Sequence, residues 1–239
     1  MSRLPTIPSI RRLRLLVATA SLPALLLALP LATSAQPADA GRNNDTGMQA
    51  AIAAAKAGRL APGQAEALRA DPRWPWLEHA RLARDLDTAD AAQVRGFLQR
   101  HDGQAAANAL RPLWLASLAR RERWSDLLAD WRPSDSPALR CARLNAQQAL
   151  GQAGAEWNAE AQALWRSGKS QPDACDATFA SLAARGGLDD TLRWERFDLA
   201  VAEGEPGVMR SAARGLPAEA QALAQDYAAF VQAPHTRAA

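Results

Sequence analysis

Apolar residues after position 47 recur three and four positions apart, which is the spacing of one face of an α-helix. No stretch alternates apolar and polar residues as a half-buried strand does, and the chain is crowded with Ala, Leu, Arg, Gln and Glu, which favour helices. Gly and Pro separate the periodic stretches. The pattern predicts an all-α protein with helices over 48–57, 62–70, 76–86, 89–100, 107–121, 125–131, 137–150, 155–167, 172–185, 188–203, 206–214 and 217–232.

Some of these helices carry start signals. Ser136 precedes Pro137, which places a capping hydroxyl before a proline at the first helical position. Thr88 is predicted to cap the helix over 89–100, and Pro172 to begin the helix that contains Cys175.

The predicted helices form short antiparallel pairs joined by short turns. Similar phrases recur at uneven separations, so the chain is not a regular tetratricopeptide array. We expect a superhelix, or solenoid, of short helical hairpins over 48–239, degenerate and tetratricopeptide-like, in which each unit buries its face on its neighbours. An open solenoid end near Gln232 would expose apolar surface.

The first 35 residues predict a secretory signal peptide. An apolar run over 15–31 follows four arginines, and small residues at 33–35 place cleavage before Gln36. An uncleaved membrane anchor is the alternative, but Pro23 and Pro30 interrupt the run. Residues 36–47 lack periodicity and are predicted to be a flexible segment.

Removal of this signal peptide changes the charge of the protein. Four of the 28 basic residues and none of the 25 acidic residues precede Gln36, so the net charge falls from +3 to −1. The mature chain therefore lacks the basic excess of proteins that bind nucleic acid or membrane surfaces, and we expect neither as a partner.

Cys141 and Cys175 are the two cysteines of the chain. In an oxidising compartment a disulfide between them is the default. A metal site or a thiol nucleophile would need further ligands or a base nearby, and the three histidines are scattered without a motif. No metal and no cofactor is expected.

The letters GKS at 168–170 match the end of a phosphate-binding loop. That loop also needs a Gly at position 163, which is Ala, and a preceding strand, where a helix is predicted. Residues 168–171 are instead predicted to be a turn between helices.

Carboxylate pairs at helical spacing occur at Asp126 and Asp130 and at Glu156 and Glu160. Such pairs usually belong to solvated helix faces. Because spacing alone shows neither a cleft nor a raised pKa, they do not indicate an active site, and no catalytic residue is predicted.

Eight Trp residues are present, and six of them lie at helical positions suited to packing. Trp74 and Trp76 differ because they flank Pro75 at a helix entrance. They are either a platform on which sugar rings stack or rings that staple the helix start, and both interpretations stay open.

Several stretches resemble the superhelical part of soluble lytic murein transglycosylases: ADPRWPWLEHARLARDL, LARRERWSDLLA and, most specifically, ALWRSGKSQPDACDATFASL. Arg140 and Cys141 fit an upstream cysteine of that family, and the matches are collinear over about residues 60–217. The resemblance implies an exported α-superhelix. It also implies a family that cleaves peptidoglycan glycan strands to 1,6-anhydromuramyl products.

In that family a catalytic Glu, typically in a Glu-Ser pair, belongs to a C-terminal lysozyme-like domain. None of the nine Glu residues here precedes Ser, so no catalytic role carries over and that domain is expected to be absent. We expect a non-catalytic periplasmic scaffold whose partners are glycan strands and a catalytic domain or other periplasmic proteins. The alternative is a free-standing helical-repeat adaptor that binds a protein or peptide.

Overall fold

A computed structural model describes residues 38–237 of the chain, with side chains described over 45–235. The signal peptide predicted over 1–35 lies outside the described residues. The described residues, 38–237, contain thirteen helices and no strand. The helices are α1 (Ala38–Lys56), α2 (Pro62–Ala67), α3 (Trp74–Arg84), α4 (Ala91–Arg100), α5 (Ala105–Arg120), α6 (Trp124–Asp130), α7 (Pro137–Ala149), α8 (Ala155–Trp165), α9 (Ala174–Ala184), α10 (Asp190–Glu203), α11 (Pro206–Ala213), α12 (Ala218–Gln232) and α13 (Pro234–Arg237).

The odd-numbered helices α1, α3, α5, α7 and α9 stack each on the next, while α4, α6 and α8 pack beside them. From α10 onward each helix packs mainly on its successor in the chain. Contacts therefore run between neighbouring hairpins, as in a solenoid. The predicted all-α superhelix of helical hairpins is confirmed.

Three apolar clusters follow one another along this stack. Met48, Ala51 and Leu77 belong to the first cluster, between α1 and α3. The second contains Phe97 and Trp114, and the third runs from α7 to α12. The six Trp residues predicted to pack do so: Trp114, Trp157 and Trp165 are buried, and Trp124, Trp131 and Trp194 lie partly buried against these clusters.

Helix α1 begins at Ala38, not at Met48, so the predicted flexible segment is helical from Ala38 onward. Its apolar stripe starts only at Met48, which is why periodicity did not show the earlier turns. Asp45 forms an ion pair with Arg73 across the turn to α3, which supports the helix beyond its buried face. Extending a helix that already exists costs far less than starting one.

The helix starts show which sequence signals held. Ser136 caps α7 as predicted, because its hydroxyl accepts a hydrogen bond from the Leu139 N–H at 3.5 Å. Helix α4 is capped by Asp90 instead, whose carboxylate accepts from the Ala92 N–H at 2.9 Å. Thr88 donates its hydroxyl to the Asp85 carbonyl, so it belongs to the preceding turn.

Candidate functional site

A polar groove of about 790 Å³ runs along α3 and α4 and adjoins a smaller cavity of about 350 Å³ beside α2. Leu60, Glu78 and Arg81 line both spaces, so we treat them as one surface and call it the Glu78 groove. It lies where the end of α1 and helix α2 meet α3 and α4, near the start of the solenoid.

Charged side chains of both signs line the Glu78 groove. Glu78 accepts a hydrogen bond from Arg100 at 3.1 Å and lies 2.9 Å from the Nε2 of His101. Arg81 is exposed and makes no hydrogen bond or ion pair with the described residues, so its guanidinium is available to a ligand. A groove with both donors and acceptors suits a ligand rich in hydroxyl and amide groups.

The structure separates the two tryptophans proposed for stacking. The Trp74 ring is partly buried and packs against the first apolar cluster, which contains Met48. The Arg69 guanidinium lies 5.6 Å from the ring centroid, and the ring lines the smaller cavity. This is the contact expected of a ring that staples a helix start. Trp76 is 39% exposed, and within residues 45–235 its one ring contact is with His79, at 5.5 Å between ring centroids. It does not line the groove, and its role in stacking stays a prediction.

Cys141 on α7 and Cys175 on α9 are joined by a disulfide, with a distance of 4.9 Å between their Cα atoms. Both are fully buried. Beside the bond, Thr178 donates to the Asn145 side chain at 2.7 Å, and the Asn145 amide donates to the Ala174 carbonyl at 2.8 Å. The crosslink and these hydrogen bonds hold two stacked hairpins together.

The GKS letters lie in the turn between α8 and α9. Gly168 is buried so closely against α10 that a Cβ atom there would overlap the carbonyl of Leu199. The Lys169 ammonium lies 3.3 Å from a carboxylate oxygen of Glu203. Residues 168–171 lie in the turn between α8 and α9, as predicted, but α9 begins at Ala174 and not at Pro172.

The acidic pairs differ from the expected solvated faces. Arg95 of α4 contacts Asp126 at 2.7 Å and Asp130 at 2.9 Å, and the Trp114 indole donates to Asp130 at 2.8 Å. Hydrogen bonding from Arg95 lowers the pKa of Asp126, the opposite of what a general acid requires.

The second pair is divided in its roles. Glu160 is half-buried and holds Arg140 at 3.2 Å and also Arg143, whereas Glu156 is exposed. Within residues 45–235 no group of three or more His, Cys, Asp or Glu side chains is arranged to hold a metal ion. Three of the four carboxylates that the sequence singled out, Asp126, Asp130 and Glu160, thus act in ion pairs between helices.

Arg196 is a residue that the sequence analysis missed. It is buried on α10 at 4% exposure, beside a second large cavity. The signal was present, because Leu192, Arg196 and Ala200 are spaced four apart and all three are buried. A charged residue on the apolar face of a helix is unusual and marks a candidate functional position.

None of the described helices combines the length and the apolar character that a membrane crossing requires.

Comparison with known proteins gives a consistent set of relatives. The chain is 36% identical over 155 residues to the soluble lytic murein transglycosylase of Salmonella typhimurium, across 64% of this chain and 24% of that protein. It is 33% identical over 167 residues to the Escherichia coli protein of the same name, across 69% and 26%. The chain therefore spans about a quarter of the length of the curated relatives it matches.

A solved structure agrees. The crystal structure of the 70-kDa soluble lytic transglycosylase from Escherichia coli matches 83% of this chain and 32% of its own, with a TM-score of 0.71 and 29% identity. No family model matches the chain.

Proposed function

The chain is a relative of the soluble lytic murein transglycosylases over part of their length and shares their helical superhelix, and on this premise we propose that it is a periplasmic scaffold that associates with peptidoglycan. The observation that carries the proposal is the similarity to these proteins in sequence over 167 residues and in structure over 83% of the chain. The Glu78 groove and the exposed ring of Trp76 supply polar and aromatic groups of the kind that bind sugars.

The proposed scaffold does not itself cleave glycan strands. Among the described residues, the carboxylate pairs at helical spacing are largely committed to arginines, and no Glu of the chain is followed by Ser. Its role is to hold or guide glycan strands beside a catalytic partner. We expect the exported protein, after removal of residues 1–35, to give no cleared band in a zymogram on purified cell wall.

Co-sedimentation with purified peptidoglycan sacculi tests the association. We expect the mature protein to sediment with sacculi and Trp76→Ala to reduce the bound fraction. Tyr227→Ala is the matched control, because Tyr227 is an aromatic residue of similar exposure on α12, far along the solenoid. A protein that stays in the supernatant, or equal loss in both variants, would refute the assignment of glycan binding to Trp76 and its surroundings.

A second candidate function, a periplasmic adaptor for a protein or peptide, is favoured by the surface of α12. Leu223, Tyr227 and Phe230 are 65%, 44% and 43% exposed and lie on one face of that helix. Exposed apolar side chains in a row are typical of contacts between proteins. Cross-linking in periplasmic extract would favour the adaptor if Leu223→Glu removes a discrete adduct while binding to sacculi is unchanged.

A further inference from the structure

A cavity of about 870 Å³ lies between α9, α10 and α11, on the opposite half of the solenoid from the Glu78 groove. Phe179, Leu188 and Val208 form apolar parts of its wall. Gln171 and Ser211 supply polar side chains, so the wall is of mixed character. Arg196 is the one buried charged residue among those that line it.

The Arg196 guanidinium is held in place by two aromatic rings. Its central carbon lies 4.3 Å from the centroid of Trp165 and 5.2 Å from that of Phe179. Such stacking orients a planar cation while leaving its edge N–H groups free to donate. Trp165 is itself fixed, because its indole donates to the Leu192 carbonyl at 3.1 Å.

Two donors of this guanidinium are buried without a partner. Both Nε and Nη1 are shielded from solvent, and neither makes a hydrogen bond within the described part of the chain. Burial lowers the pKa of Arg196 to about 10, so the group remains a cation at neutral pH. A buried cation with unused donors is costly, and proteins normally pair it.

We propose that this cavity binds the peptide component of peptidoglycan through a carboxylate that pairs with Arg196. The inference rests on the proposed function for the choice of peptide. A carboxylate complements the fork of guanidinium N–H groups, whereas the neutral hydroxyls of a glycan do not compensate a buried charge. In peptidoglycan the free carboxylates lie on the peptides.

The rim of the cavity fits the rest of such a peptide. Asp176 and Glu205 line it and offer carboxylates to an amino group, while Arg193 and Arg214 add further positive charge. Arg193 already donates to the carbonyl of Arg214, which fixes its position at the rim. A peptide with both an amine and several carboxylates therefore meets complementary charge on each side.

Isothermal titration calorimetry with the free stem tetrapeptide L-Ala-γ-D-Glu-meso-diaminopimelate-D-Ala tests the site on the mature protein. We expect Arg196→Met to weaken binding about tenfold or more, as loss of a charged hydrogen-bonded pair does. Arg185→Met is the matched control. The central guanidinium carbon of Arg185 also lies over a tryptophan, 5.4 Å from the ring centroid of Trp157, but Arg185 does not line this cavity. The control should bind as the wild-type protein does, and the fully amidated tetrapeptide should bind wild type as weakly as the acid binds Arg196→Met.

Three results would overturn the inference: no binding of the tetrapeptide by wild type, equal binding by Arg196→Met, or equally tight Arg196-dependent binding of an unrelated L-tetrapeptide. The last would identify a receptor for protein carboxyl termini instead. If Arg196→Met does not fold, the Arg196 Nε–H resonance of the wild-type protein should shift on addition of tetrapeptide and stay in place with chitotetraose. If the protein sediments with sacculi but does not bind the tetrapeptide, the peptide site at Arg196 is refuted. The proposed scaffold function is then still supported.

Discussion

The Trp114 indole N–H donates a 2.8 Å hydrogen bond to the Asp130 carboxylate, which links the core of α5 to the last residue of α6. Trp114 is almost fully buried, so its N–H needs an internal partner. Asp130 meets that need and receives Arg95 on the same side. The Asp130 carboxylate thus accepts from the buried indole and pairs with the guanidinium at once, and it connects α4, α5 and α6.

Arg95→Met removes the cation that Asp126 and Asp130 share, so Asp130 loses its ion pair and Asp126 keeps only the one with Arg123. We expect a loss of about 1–2 kcal/mol in the free energy of unfolding, measured by urea at neutral pH. Arg120→Met is the control, because its pair with Asp87 is more than half exposed and solvent screening should leave the free energy of unfolding almost unchanged. Equal effects of the two substitutions would contradict the argument.

The same network predicts a dependence on pH. Arg95 lowers the pKa of Asp126 in the folded protein below its ordinary value of 3.8. The ion pair between Arg95 and Asp126 therefore contributes fully to stability above the ordinary pKa of 3.8. This contribution is lost as the pH falls through the lowered pKa of the folded state. The difference in unfolding free energy between wild type and Arg95→Met should be constant from neutral pH to about pH 5 and shrink below about pH 4. A difference that does not change with pH would argue against a charged pair.

Replacement of both Cys141 and Cys175 by Ser should lower the free energy of unfolding by about 3–4 kcal/mol in the chain-entropy account, since the bond closes a loop with a sequence separation of 34. Wild type should lose a similar amount on addition of reductant, and the double variant should not respond to it. Mass spectrometry of exported protein under non-reducing conditions should detect no free thiol. Two free thiols in that sample would show that the bond does not form in the cell.

Gly168→Ala should destabilise the fold by about 1–3 kcal/mol, because the added methyl overlaps the backbone of α10 at Leu199. Gly63→Ala is the control, because its Cβ meets no atom within 4 Å and α2 is helical there. That variant should be neutral or gain up to about 1 kcal/mol. Thermal unfolding of the two variants beside wild type makes the comparison, and a tolerated Ala at 168 would mean that the turn does not need this close approach.

Arg196→Met should not lower the free energy of unfolding, although the residue is buried. The substitution loses the stabilising stacking of the guanidinium on Trp165 and Phe179. It also removes two unpartnered donors and a buried charge, whose burial costs free energy, and this gain offsets the loss. Urea unfolding measures the balance, with Trp165→Leu as a comparison that should destabilise by about 2 kcal/mol or more. A comparable loss in Arg196→Met would indicate that the arginine serves the core and not a ligand.

The sequence by itself determined the architecture of this protein. Helical periodicity and Gly and Pro turns are local properties, so they predicted an all-α solenoid and nearly all of its helices. The motif around Cys175 was the most specific of several stretches that resembled soluble lytic murein transglycosylases, and proteins of that name are among the relatives found. Where the signal was not local it failed: no apolar stripe marked the turns of α1 before Met48, although the Asp45–Arg73 pair supports them.

The sites were decided by tertiary structure. Arg95 lies 31 and 35 positions from the two aspartates that it pairs, so only the stacking of hairpins reveals that these carboxylates are neutralised. Trp74 and Trp76 are two positions apart in sequence, yet one packs into a cluster and the other faces outward. In the sequence, Arg196 is one arginine among many. The folded chain places Trp165 of α8 and Phe179 of α9 against its guanidinium. Periodicity fixes which face of a helix is buried, but the partners on that face depend on how distant hairpins meet.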